Sequence, residues 1–484
     1  MKEKLVIYWS RRDFRLRDNR ALLSAVNFSE KENIPFLPLF IIEPYMTEAN
    51  PKYQFGYPSR FFLANAISAF GKNFKSFLLV EEKAVKFFIK LSKHYEVNIF
   101  VNEDIHPDFY TQIKKIKDKG INIKLYRDQI TIDKEVRTGN GGIYSIFTPF
   151  KKAVWNSFVN AEEDKKPKLD KVKFFNLKNF PLKYINTLNS TEILKLFKKQ
   201  ESILIENEII KLKELDLPKR DLSIYSFNEE EMILKFKNFL KTTLSNYKDE
   251  RDYLDLEGTS RMSLALSWGL VSCRTLVKLI QNHFNNKFEN YNSSRKIDEG
   301  PIHFISELIW REFYKYLLFH KPNLLSQAFQ AKYNSISWAP KKQSKERFLL
   351  WIKGQTGYPI VDAAMNELAK TGYMHNRARM IVSSVLTKNL GVNWLWGQEY
   401  FRAMLIDLDE ASNNGGWQWG ASVGADPKPI RIFNPYLQAE NYDKDNKYQN
   451  KWLSKEYLSN PPLPIIEHKE ARKEALKRYG LSKE

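Results

Sequence analysis

The sequence predicts a two-domain protein of class α/β + all-α, in which a Rossmann-like parallel-sheet unit is joined by a long connector to a helical unit. Short apolar runs rich in β-branched and aromatic residues alternate with helical patterns over residues 1–130. Residues 131–222 are rich in lysine and have only short periodic stretches. From residue 223 to residue 484 the apolar spacing is helical. A chain of 484 residues also exceeds what one hydrophobic core usually organises.

The N-terminal unit contains five candidate strands and three candidate crossover helices. The strands are expected at residues 5–9, 36–42, 77–80, 97–101 and 123–126, and the helices at residues 60–74, 83–94 and 108–119. This alternation is typical of a parallel sheet. The loop after the first strand lacks both the G-x-G-x-x-G fingerprint and a phosphate-binding loop, which disfavours a nicotinamide enzyme or a nucleoside triphosphatase.

Charge, cysteine content and hydropathy restrict the class of protein. Lysine and arginine exceed aspartate and glutamate by 20 charges, which favours a polyanionic partner. The single cysteine, Cys273, excludes an internal disulfide framework and fits a reducing compartment. The seven histidines are dispersed without metal-ligand spacing, and no run of about 18 apolar residues predicts a membrane span. We therefore expect a cytoplasmic protein of bacterial type without a metal site.

Residues 371–435 form the most unusual stretch, with four tryptophans, an Asp-x-Asp pair and an Asn-Asn-Gly-Gly sequence. Its first part predicts a helix that ends at Gly391 and places Asn376, Arg379 and Met380 on one face. Residues 413–416 predict a turn that lets the backbone approach a ligand. An amide, a cation and a thioether side by side suit a flat polar ligand, and a helix start with solvated arginines is the alternative.

Two motifs further upstream carry candidate chemistry. In the sequence Glu-Gly-Thr-Ser-Arg-Met-Ser at residues 257–263, Thr259 or Ser260 is expected to cap a helix, and the free N–H groups there could bind an anion. Glu307, Trp310 and Arg311 have i, i+3, i+4 spacing, so a carboxyl, an aromatic plane and a guanidinium share a face. An ordinary helix cap and an intrahelical Glu–Arg pair beside a buried tryptophan are the alternatives.

These motifs resemble the photolyase and cryptochrome family over nearly the whole chain, as far as about Trp452. The resemblance is carried by MHNRARM, DLDEASNNGGWQWGASVGADPKPIRIFNP, EGTSRMSLALSWGLVS and ELIWREFYKYLLFHKP. It is closest to the class I microbial cyclobutane pyrimidine dimer photolyases. It implies an antenna domain at residues 1–130, an interdomain connector at 131–222 and a helical FAD-binding catalytic domain at 223–484. It also implies a monomer, with no obligate protein partner, that associates with the nucleoid through DNA.

The resemblance implies FAD as the cofactor, active in its reduced form. The residues expected to hold it are Tyr247, Thr259, Ser260, Arg261, Met262, Ser263, Phe304, Asn376, Arg379, Asp407, Leu408, Asp409 and Asn413. Arg379 and Asp407 are expected to form an ion pair beneath the flavin ring. A second, antenna chromophore is also implied, and reduced folate, deazaflavin and another flavin all remain open.

The implied substrate is UV-damaged DNA, with the dimer flipped out and split by an electron from the reduced flavin. The residues expected to contact the DNA are Arg251, Glu307, Trp310, Arg311, Asn376, Arg377, Met380, Trp419 and Arg431. Glu307 and Asn376 are expected to act in catalysis, and Glu307 is expected to be a buried, protonated hydrogen-bond donor. Trp417, Trp394 and Trp338 match a chain of tryptophans that carries electrons between flavin and surface.

Three other functions are weighed against this one. Enzymes of the same family that repair (6-4) photoproducts place a histidine pair where this chain has MHNRARM, so that substrate is disfavoured. A cryptochrome photoreceptor with little or no repair activity is the main alternative, although Glu307, Asn376 and Asn413 are all retained. A plain basic DNA-binding module would explain the charge, but it would not explain the clustered tryptophans.

Overall fold

The computed structural model describes residues 2–47, 55–105, 107–197, 201–293, 295–425 and 430–481. The N-terminal unit is a five-stranded parallel sheet with the strand order β3-β2-β1-β4-β5. The strands are β1 (Glu3–Ser10), β2 (Phe36–Ile42), β3 (Leu78–Glu81), β4 (Tyr95–Asn102) and β5 (Asn122–Tyr126). The predicted Rossmann-like sheet is confirmed, and each strand end lies within two residues of its expected position.

In the described part of the N-terminal unit, four helices of more than one turn accompany the sheet: Arg20–Glu32, Tyr57–Gly71, Ala84–Leu91 and Pro107–Lys117, with a single turn at Pro44–Thr47. The helices Tyr57–Gly71, Ala84–Leu91 and Pro107–Lys117 correspond to the predicted crossover helices. Sequence analysis missed Arg20–Glu32, although it carries a recognisable start signal. The Asn19 side chain accepts a hydrogen bond from the Leu22 N–H, which is the usual N-cap arrangement. The run of charged residues before Asn19 resembles a loop and obscured this signal.

The strand order reverses at β1, which pairs with β2 on one side and β4 on the other. Such a reversal leaves a crevice at the carboxyl ends of the strands, where α/β proteins commonly bind ligands. Arg11 follows β1 and Asp104 follows β4, and Arg11 Nη2 lies 3.1 Å from Asp104 Oδ2. Both border a cavity of about 90 Å³, which Lys315 and Asp409 of the helical unit also line.

The connector, residues 131–222, contains more regular structure than its sequence suggests. It forms the helices Phe147–Val159 and Ser190–Leu196 and an antiparallel hairpin of β6 (Ser202–Ile205) and β7 (Glu208–Lys211). The hairpin was not predicted. Its turn residues, Glu206 and Asn207, have φ values of 45° and 70°, as tight two-residue hairpins require. The turn contains no glycine, so the usual sequence signal is absent.

The C-terminal unit is helical, as predicted. Its α-helices are Glu229–Thr242, Tyr247–Glu250, Ser263–Trp268, Cys273–Phe284, Lys296–His320, Lys341–Ile352, Pro359–Thr371, Asn376–Ser384, Trp394–Met404, Glu410–Gly420, Pro435–Tyr442, Lys447–Trp452, Lys455–Ser459 and His468–Arg478. The 25-residue helix Lys296–His320 packs against Phe147–Val159 of the connector and against Glu410–Gly420. This long helix therefore contacts both the connector and the stretch of residues 371–435 that was singled out in the sequence.

The helix predicted to end at Gly391 begins at Asn376 and passes into a π-helical turn, Val385–Asn389. His375 is its N-cap, because His375 Nδ1 accepts a hydrogen bond from the Arg377 N–H at 3.1 Å. Gly391 has a φ of 70°, a conformation that glycine adopts readily, and it ends the segment as expected.

Four charged side chains join the sheet unit to the helical unit, and we call Arg15, Asp18, Asp128 and Arg274 the junction network. Arg15 Nη2 lies 2.5 Å from Asp128 Oδ1. Arg274 Nε lies 2.7 Å from Asp18 Oδ2, and Arg274 Nη2 lies 2.9 Å from Asp128 Oδ1. The network is buried, so each charge depends on its partners for the interactions that water would otherwise supply.

Among the residues that the structure describes, no helix is long and apolar enough to cross a membrane. Over the same residues, no three His, Cys, Asp or Glu side chains come together in a way that could hold a metal ion.

Candidate cofactor and substrate cavity

A cavity of about 450 Å³ lies within the helical unit. Nineteen residues that were singled out in the sequence line it: Tyr247, Arg251, Thr259, Ser260, Arg261, Met262, Ser263, Phe304, Glu307, Trp310, Arg311, Asn376, Arg379, Met380, Asp407, Asp409, Asn413, Trp417 and Trp419. Residues expected to hold the cofactor and residues expected to hold the substrate therefore surround one space.

Five of the expected residues do not line this cavity: Leu408, Arg377, Arg431, Trp338 and Trp394. Leu408 is fully buried. Arg431 lies over the ring of Trp419, which lines the cavity, whereas Arg377 contacts Asp252 and Tyr442, which do not. The functional roles expected for all five stay predictions.

The expected ion pair between Arg379 and Asp407 is present. Arg379 Nη2 donates to Asp407 Oδ1 at 3.0 Å and to Oδ2 at 2.9 Å, and Arg379 Nε donates to the Met374 carbonyl at 2.8 Å. Burial by itself lowers the pKa of Arg379, but Asp407 and Tyr373 raise it above its ordinary value. The Arg379 guanidinium therefore stays charged, and one of its nitrogens donates to both oxygens of the Asp407 carboxyl group.

Asp409 joins the cavity wall to a helix start. Its Oδ1 accepts from the Ser412 N–H at 3.0 Å, which caps Glu410–Gly420. Lys315 Nζ lies 3.3 Å and Arg311 Nε 3.7 Å from Asp409 Oδ2. Burial alone raises the pKa of Asp409, but Lys315 and Arg311 hold it well below its usual range. Sequence analysis missed Lys315, although it lies four residues after Arg311 and so on the same helix face.

Residues 413–416 do not form the predicted turn. They lie inside the helix Glu410–Gly420. Asn and Gly favour turns locally, but here packing decides the conformation. A Cβ atom on Gly415 would lie 2.1 Å from the Tyr314 ring, so glycine lets this helix approach the helix Lys296–His320. Gly416 lines the cavity, and a Cβ there would meet no atom within 4 Å.

Thr259 and Ser260 do not cap a helix, which corrects a second prediction. The helix that follows, Ser263–Trp268, has only six residues, and its N-cap is Met262 without a side-chain hydrogen bond. Ser260 Oγ instead accepts from the Met262 N–H at 3.2 Å, and Arg261 has a φ of 53°. The polar groups of this segment therefore reach the cavity from a bent loop rather than from a helix start.

Three buried polar atoms of the cavity wall, Asn413 Oδ1, Trp417 Nε1 and Arg311 Nε, have no hydrogen-bond partner within the described part of the chain. The Asn413 amide has a defined orientation, because its Nδ2 donates to the Gln398 carbonyl at 3.2 Å. Its Oδ1 is therefore left as an acceptor, and a buried unpaired acceptor costs about 1–3 kcal/mol. A flavin ring carries N–H groups that can satisfy this atom, so the wall fits FAD.

Glu307 is not the buried acid that the sequence predicted. Its side chain is 33% exposed, and its Oε1 lies 2.5 Å from Arg251 Nη1. Arg251 Nε lies 3.8 Å from Asp252 Oδ1, and Arg377 Nη2 lies 2.5 Å from Asp252 Oδ2. We call these four residues the rim network. The intrahelical Glu–Arg pair with Arg311, weighed as an alternative, is absent because Glu307 pairs with Arg251.

Asp252, which links the two rim arginines, was missed in the sequence. The signal available was its position directly after Arg251 in a basic chain, and that signal is weak. Arg377 also lies over the Tyr442 ring, with its guanidinium carbon 4.2 Å from the ring centroid. These contacts keep both arginines beside the cavity.

Two half-buried indole rings, those of Trp310 and Trp419, line the cavity. The Arg431 guanidinium carbon lies 5.2 Å from the centroid of the Trp419 ring. Asn376 Nδ2 lies 3.8 Å from Met380 Sδ, so the amide and the thioether are adjacent on one helix face, as their spacing predicted. Partly exposed aromatic planes of this kind are suited to stacking on flat ligands.

Trp417 is a buried residue of the cavity wall. Its ring centroid lies 5.0 Å from that of Phe401 and 6.0 Å from that of Trp351. Gly397 belongs to the same helix as Trp394, and a Cβ atom there would lie 2.1 Å from the Trp417 ring. The helix Trp394–Met404 therefore packs directly against Trp417. Trp351 was not singled out in the sequence, where its spacing resembles that of an ordinary core residue.

Trp338, the outermost member of the expected electron-transfer chain, is half-buried. Its ring lies edge-on to Tyr479, with centroids 6.4 Å apart. Trp394 is buried. A buried Trp417 at the cavity and a partly exposed Trp338 are compatible with a route from inside to surface, and the route itself stays a prediction.

The fold defines a protein with a parallel-sheet unit and a helical unit, and the helical unit contains a large cavity lined by charged and aromatic side chains. Residues 6–168 match the family model for DNA photolyase, and residues 304–460 match the model for the FAD binding domain of DNA photolyase. The chain belongs to the DNA photolyase family. As a member of this family it is a flavoprotein enzyme of DNA repair.

Known proteins agree with this assignment. The chain is 33% identical over 390 residues to the deoxyribodipyrimidine photo-lyase of Vibrio cholerae, covering 76% of this chain and 75% of the relative. A class III photolyase from Agrobacterium tumefaciens has 28% identity and a TM-score of 0.79, covering 99% of this chain and 98% of that chain. An archaeal photolyase from Sulfolobus tokodaii, solved with two FAD molecules, has 26% identity and a TM-score of 0.77, covering 99% and 100%. A Synechocystis cryptochrome shares the fold, with 21% identity and a TM-score of 0.79 over 100% of both chains.

Proposed function

We propose that this protein repairs cyclobutane pyrimidine dimers in DNA in a light-driven reaction that uses reduced FAD. The observation that carries the proposal is that most of the expected cofactor residues and most of the expected substrate residues line the same cavity. When bound and reduced, FAD supplies under illumination the electron that opens the cyclobutane ring and receives it back once the ring has split.

The bent segment at residues 259–263 binds the diphosphate of the cofactor. It offers the hydroxyls of Thr259, Ser260 and Ser263 together with the guanidinium of Arg261. Arg261 Nη2 is 3.0 Å from Glu257 Oε2 in a largely exposed ion pair, which a phosphate can displace at little cost. Elsewhere in the cavity wall, the Arg379–Asp407 pair and Asn413 Oδ1 orient the flavin ring.

The flipped-out dimer lies between the rings of Trp310 and Trp419. Flipping costs a few kcal/mol, and least for a damaged base pair, so the lesion itself favours this step. Stacking on an aromatic side chain returns roughly 1–3 kcal/mol per base. Met380 fills the space beside the bases, since its flexible thioether adapts to an irregular surface. Asn376 hydrogen-bonds to the base edge from the same helix.

Glu307 changes partner when the dimer binds. In the free protein it pairs with Arg251, and the pair is partly exposed, so its rearrangement costs little. The dimer takes Glu307 as its polar contact, and Arg251 turns to a DNA phosphate. Arg377 and Arg431 add further phosphate contacts, which fix the DNA without reading its sequence.

We also infer that a second chromophore binds in the crevice at the carboxyl ends of β1 and β4. The strand order places the ligand crevice there, and the Sulfolobus tokodaii relative was solved with two FAD molecules. The Arg11 guanidinium carbon lies 5.0 Å from the centroids of the Trp9 and Phe109 rings. A planar chromophore enters by displacing this guanidinium. The choice among folate, deazaflavin and flavin is tested by extracting the bound chromophores and identifying them by mass spectrometry.

The repair proposal is tested with an oligonucleotide that carries a single cyclobutane thymine dimer. Chemically reduced wild-type protein is expected to restore the thymines in light and not in the dark. Glu307→Ala is expected to lower the repair rate by at least about 10-fold, because it removes a polar contact to the reacting base. Glu289→Ala is the matched control, since Glu289 is an exposed carboxylate outside the cavity, and it should repair at the wild-type rate.

A flavin-loaded wild-type protein that binds the lesion and leaves it intact under light would overturn the repair proposal. That outcome would favour the alternative of a photoreceptor with little or no repair activity. The class I assignment is tested in the same assay series, by comparing single-stranded and double-stranded substrates and by identifying the chromophores.

A further inference from the structure

One face of the Trp310 ring is covered by a residue from the connector. Phe147 lies parallel to it, with ring centroids 3.6 Å apart and an interplanar angle of 9°. Phe147 does not line the cavity, whereas Trp310 does. The phenyl ring therefore supports the indole from outside the space that the substrate occupies.

Phe147 is the first residue of the helix Phe147–Val159, and ring contacts of this first turn hold it in place. Its ring lies 5.9 Å from that of Phe313, and Phe150 in the same helical turn lies 5.0 Å from Phe313 and 5.1 Å from Tyr316. Phe150 is fully buried. The turn is thus anchored in the core, and an indole stacked on it loses freedom to swing away from the cavity. Fixing a binding group in this way before the ligand arrives reduces the entropy cost of binding.

Lys151 lies one turn after Phe147 and so on the same face of this helix. Its Nζ lies 6.0 Å from the Phe147 centroid and 5.4 Å from the Tyr291 centroid. In the described ranges no carboxylate comes within ion-pair distance of Lys151, so its charge is available to another partner. Burial lowers the pKa of Lys151 below its ordinary value, and Glu307 opposes this shift, in keeping with a position near the Glu307 side of the cavity.

We infer that the first turn of the connector helix, from Phe147 to Lys151, is a further part of the lesion-binding surface. Phe147 is a positioning residue that holds the Trp310 plane, and Lys151 binds a phosphate next to the flipped-out bases. This inference rests on the proposed function, since it assigns a further part to the same substrate site. The sequence suggests that the connector only links the two units. The inference gives it a direct part in recognising the DNA lesion.

The role of Phe147 is tested by three substitutions. Phe147→Leu keeps an apolar side chain of similar size but removes the flat ring, and Phe147→Ala removes both. Each is expected to raise the Kd for dimer-containing DNA by about 10-fold while leaving the repair rate at saturating DNA within about twofold of wild type. Phe147→Tyr keeps the ring and should bind dimer-containing DNA with wild-type affinity. Flavin absorbance and the thermal midpoint, measured on each variant, report whether the fold is intact.

A Phe147→Leu variant that is folded, loaded with flavin and binds the lesion as tightly as wild type would overturn the positioning role. Failure of Phe147→Tyr to restore affinity would overturn it as well, because the ring would then be insufficient. A loss confined to the thermal midpoint would mean that Phe147 supports only the fold, which also contradicts the inference.

The role of Lys151 is tested by the salt dependence of binding, with its neighbour as the matched control. Lys151→Ala is expected to reduce the slope of log K against log salt by about 1, as loss of one phosphate contact requires. Lys152 is exposed and lies on another face of the helix, so Lys152→Ala should leave the slope unchanged. Equal slopes for the two variants would overturn the assignment of Lys151.

Wild-type protein in the same experiments separates failure of this inference from failure of the proposed function. Wild type that repairs the dimer, together with a Phe147→Leu variant that binds normally, overturns the inference alone. Wild type that binds the dimer without repairing it overturns the repair proposal, while the binding effects of the variants still support or contradict the inference.

Discussion

The junction network and the rim network are each built from two arginines and two carboxylates, and their shortest contacts are equally short. The closest Arg–carboxylate distances are 2.5 Å in both networks. The side chains of the junction network are 0–3% exposed, whereas those of the rim network are 13–33% exposed. The two networks thus differ in access to water and hardly at all in composition or geometry.

This difference in burial assigns the networks different tasks. A buried charge that loses its partner cannot turn to water, so the junction network holds the sheet unit and the helical unit in one arrangement. A partly exposed pair contributes little to stability and is readily exchanged. The rim network can therefore release its arginines to phosphates and its Glu307 to a substrate. The predictions below test this contrast, in order of decreasing effect.

The largest expected effect is on stability. Arg274→Ala should lower the free energy of unfolding by about 3–5 kcal/mol, because Asp18 and Asp128 lose a buried partner. Arg377→Ala should lower it by less than about 1 kcal/mol, because Asp252 stays in contact with water. Urea denaturation of the two variants and wild type measures both values. Equal losses would contradict the assignment of different tasks to the two networks.

The second prediction concerns pH and His375, whose Nδ1 accepts from the backbone of Arg377 in the rim network. Burial lowers the pKa of His375 to about 4. In the unfolded chain the group titrates near 6.5, so the unfolded state takes up the proton first as the pH falls. Protonation of His375 therefore does not affect the free energy of unfolding above about pH 6.5. Between pH 6.5 and pH 4 it lowers the free energy of unfolding by roughly 3 kcal/mol.

His375→Asn is the variant that isolates this effect, since asparagine also caps helices and does not titrate. The free energy of unfolding of the variant should change less between pH 6.5 and pH 4 than that of wild type. Parallel pH profiles for the two proteins would show that His375 does not contribute.

The third prediction compares two adjacent glycines of the helix Glu410–Gly420, one packed against a neighbouring side chain and one facing open space. Gly415→Ala should destabilise the protein by about 1–3 kcal/mol, because the new methyl group meets the Tyr314 ring. Gly416→Ala should cause no loss, since its Cβ faces open space and alanine favours the helix. Thermal unfolding of both variants provides the comparison. A loss at Gly416 as large as that at Gly415 would argue against the packing described here.

The smallest effect is expected on DNA affinity at the rim. Asp252→Asn removes the carboxylate that holds Arg251 and Arg377, so both arginines become available to phosphates. Binding to dimer-containing DNA should tighten a few-fold and become more salt-dependent, whereas Arg377→Ala should weaken it. Fluorescence anisotropy at several salt concentrations measures both. Weaker binding by Asp252→Asn would mean that Asp252 orders the arginines for DNA rather than restrains them.

The elements of the N-terminal sheet could be predicted because strands buried on both faces leave continuous apolar runs. β2 is an example, since all of its residues are buried and its predicted limits agree with the structure. Such a signal is local. The β6–β7 hairpin lacks such a local signal, and it packs against the helix Trp394–Met404. The helix Arg20–Glu32 does have a local start signal at Asn19, but the charged residues before it obscure that signal.

The residues of the cavity could be predicted from their motifs, but their partners could not. Glu307 pairs with Arg251, a residue 56 positions away in sequence, and not with Arg311 on its own helix. That choice depends on how the helices are placed, which residue spacing does not reveal. The conformation at Gly415 also depends on tertiary packing, because local preferences favour a turn there and contact with Tyr314 favours the helix.

The most direct test of the central claim is a crystal structure of the FAD-loaded protein with an oligonucleotide that contains one cyclobutane thymine dimer. We predict that FAD and the flipped-out dimer share the cavity of about 450 Å³, with the dimer between Trp310 and Trp419. Glu307 should have left Arg251 for the dimer, and Arg251 should contact a phosphate. A dimer bound outside this cavity, with the Glu307–Arg251 pair intact, would contradict the proposed function.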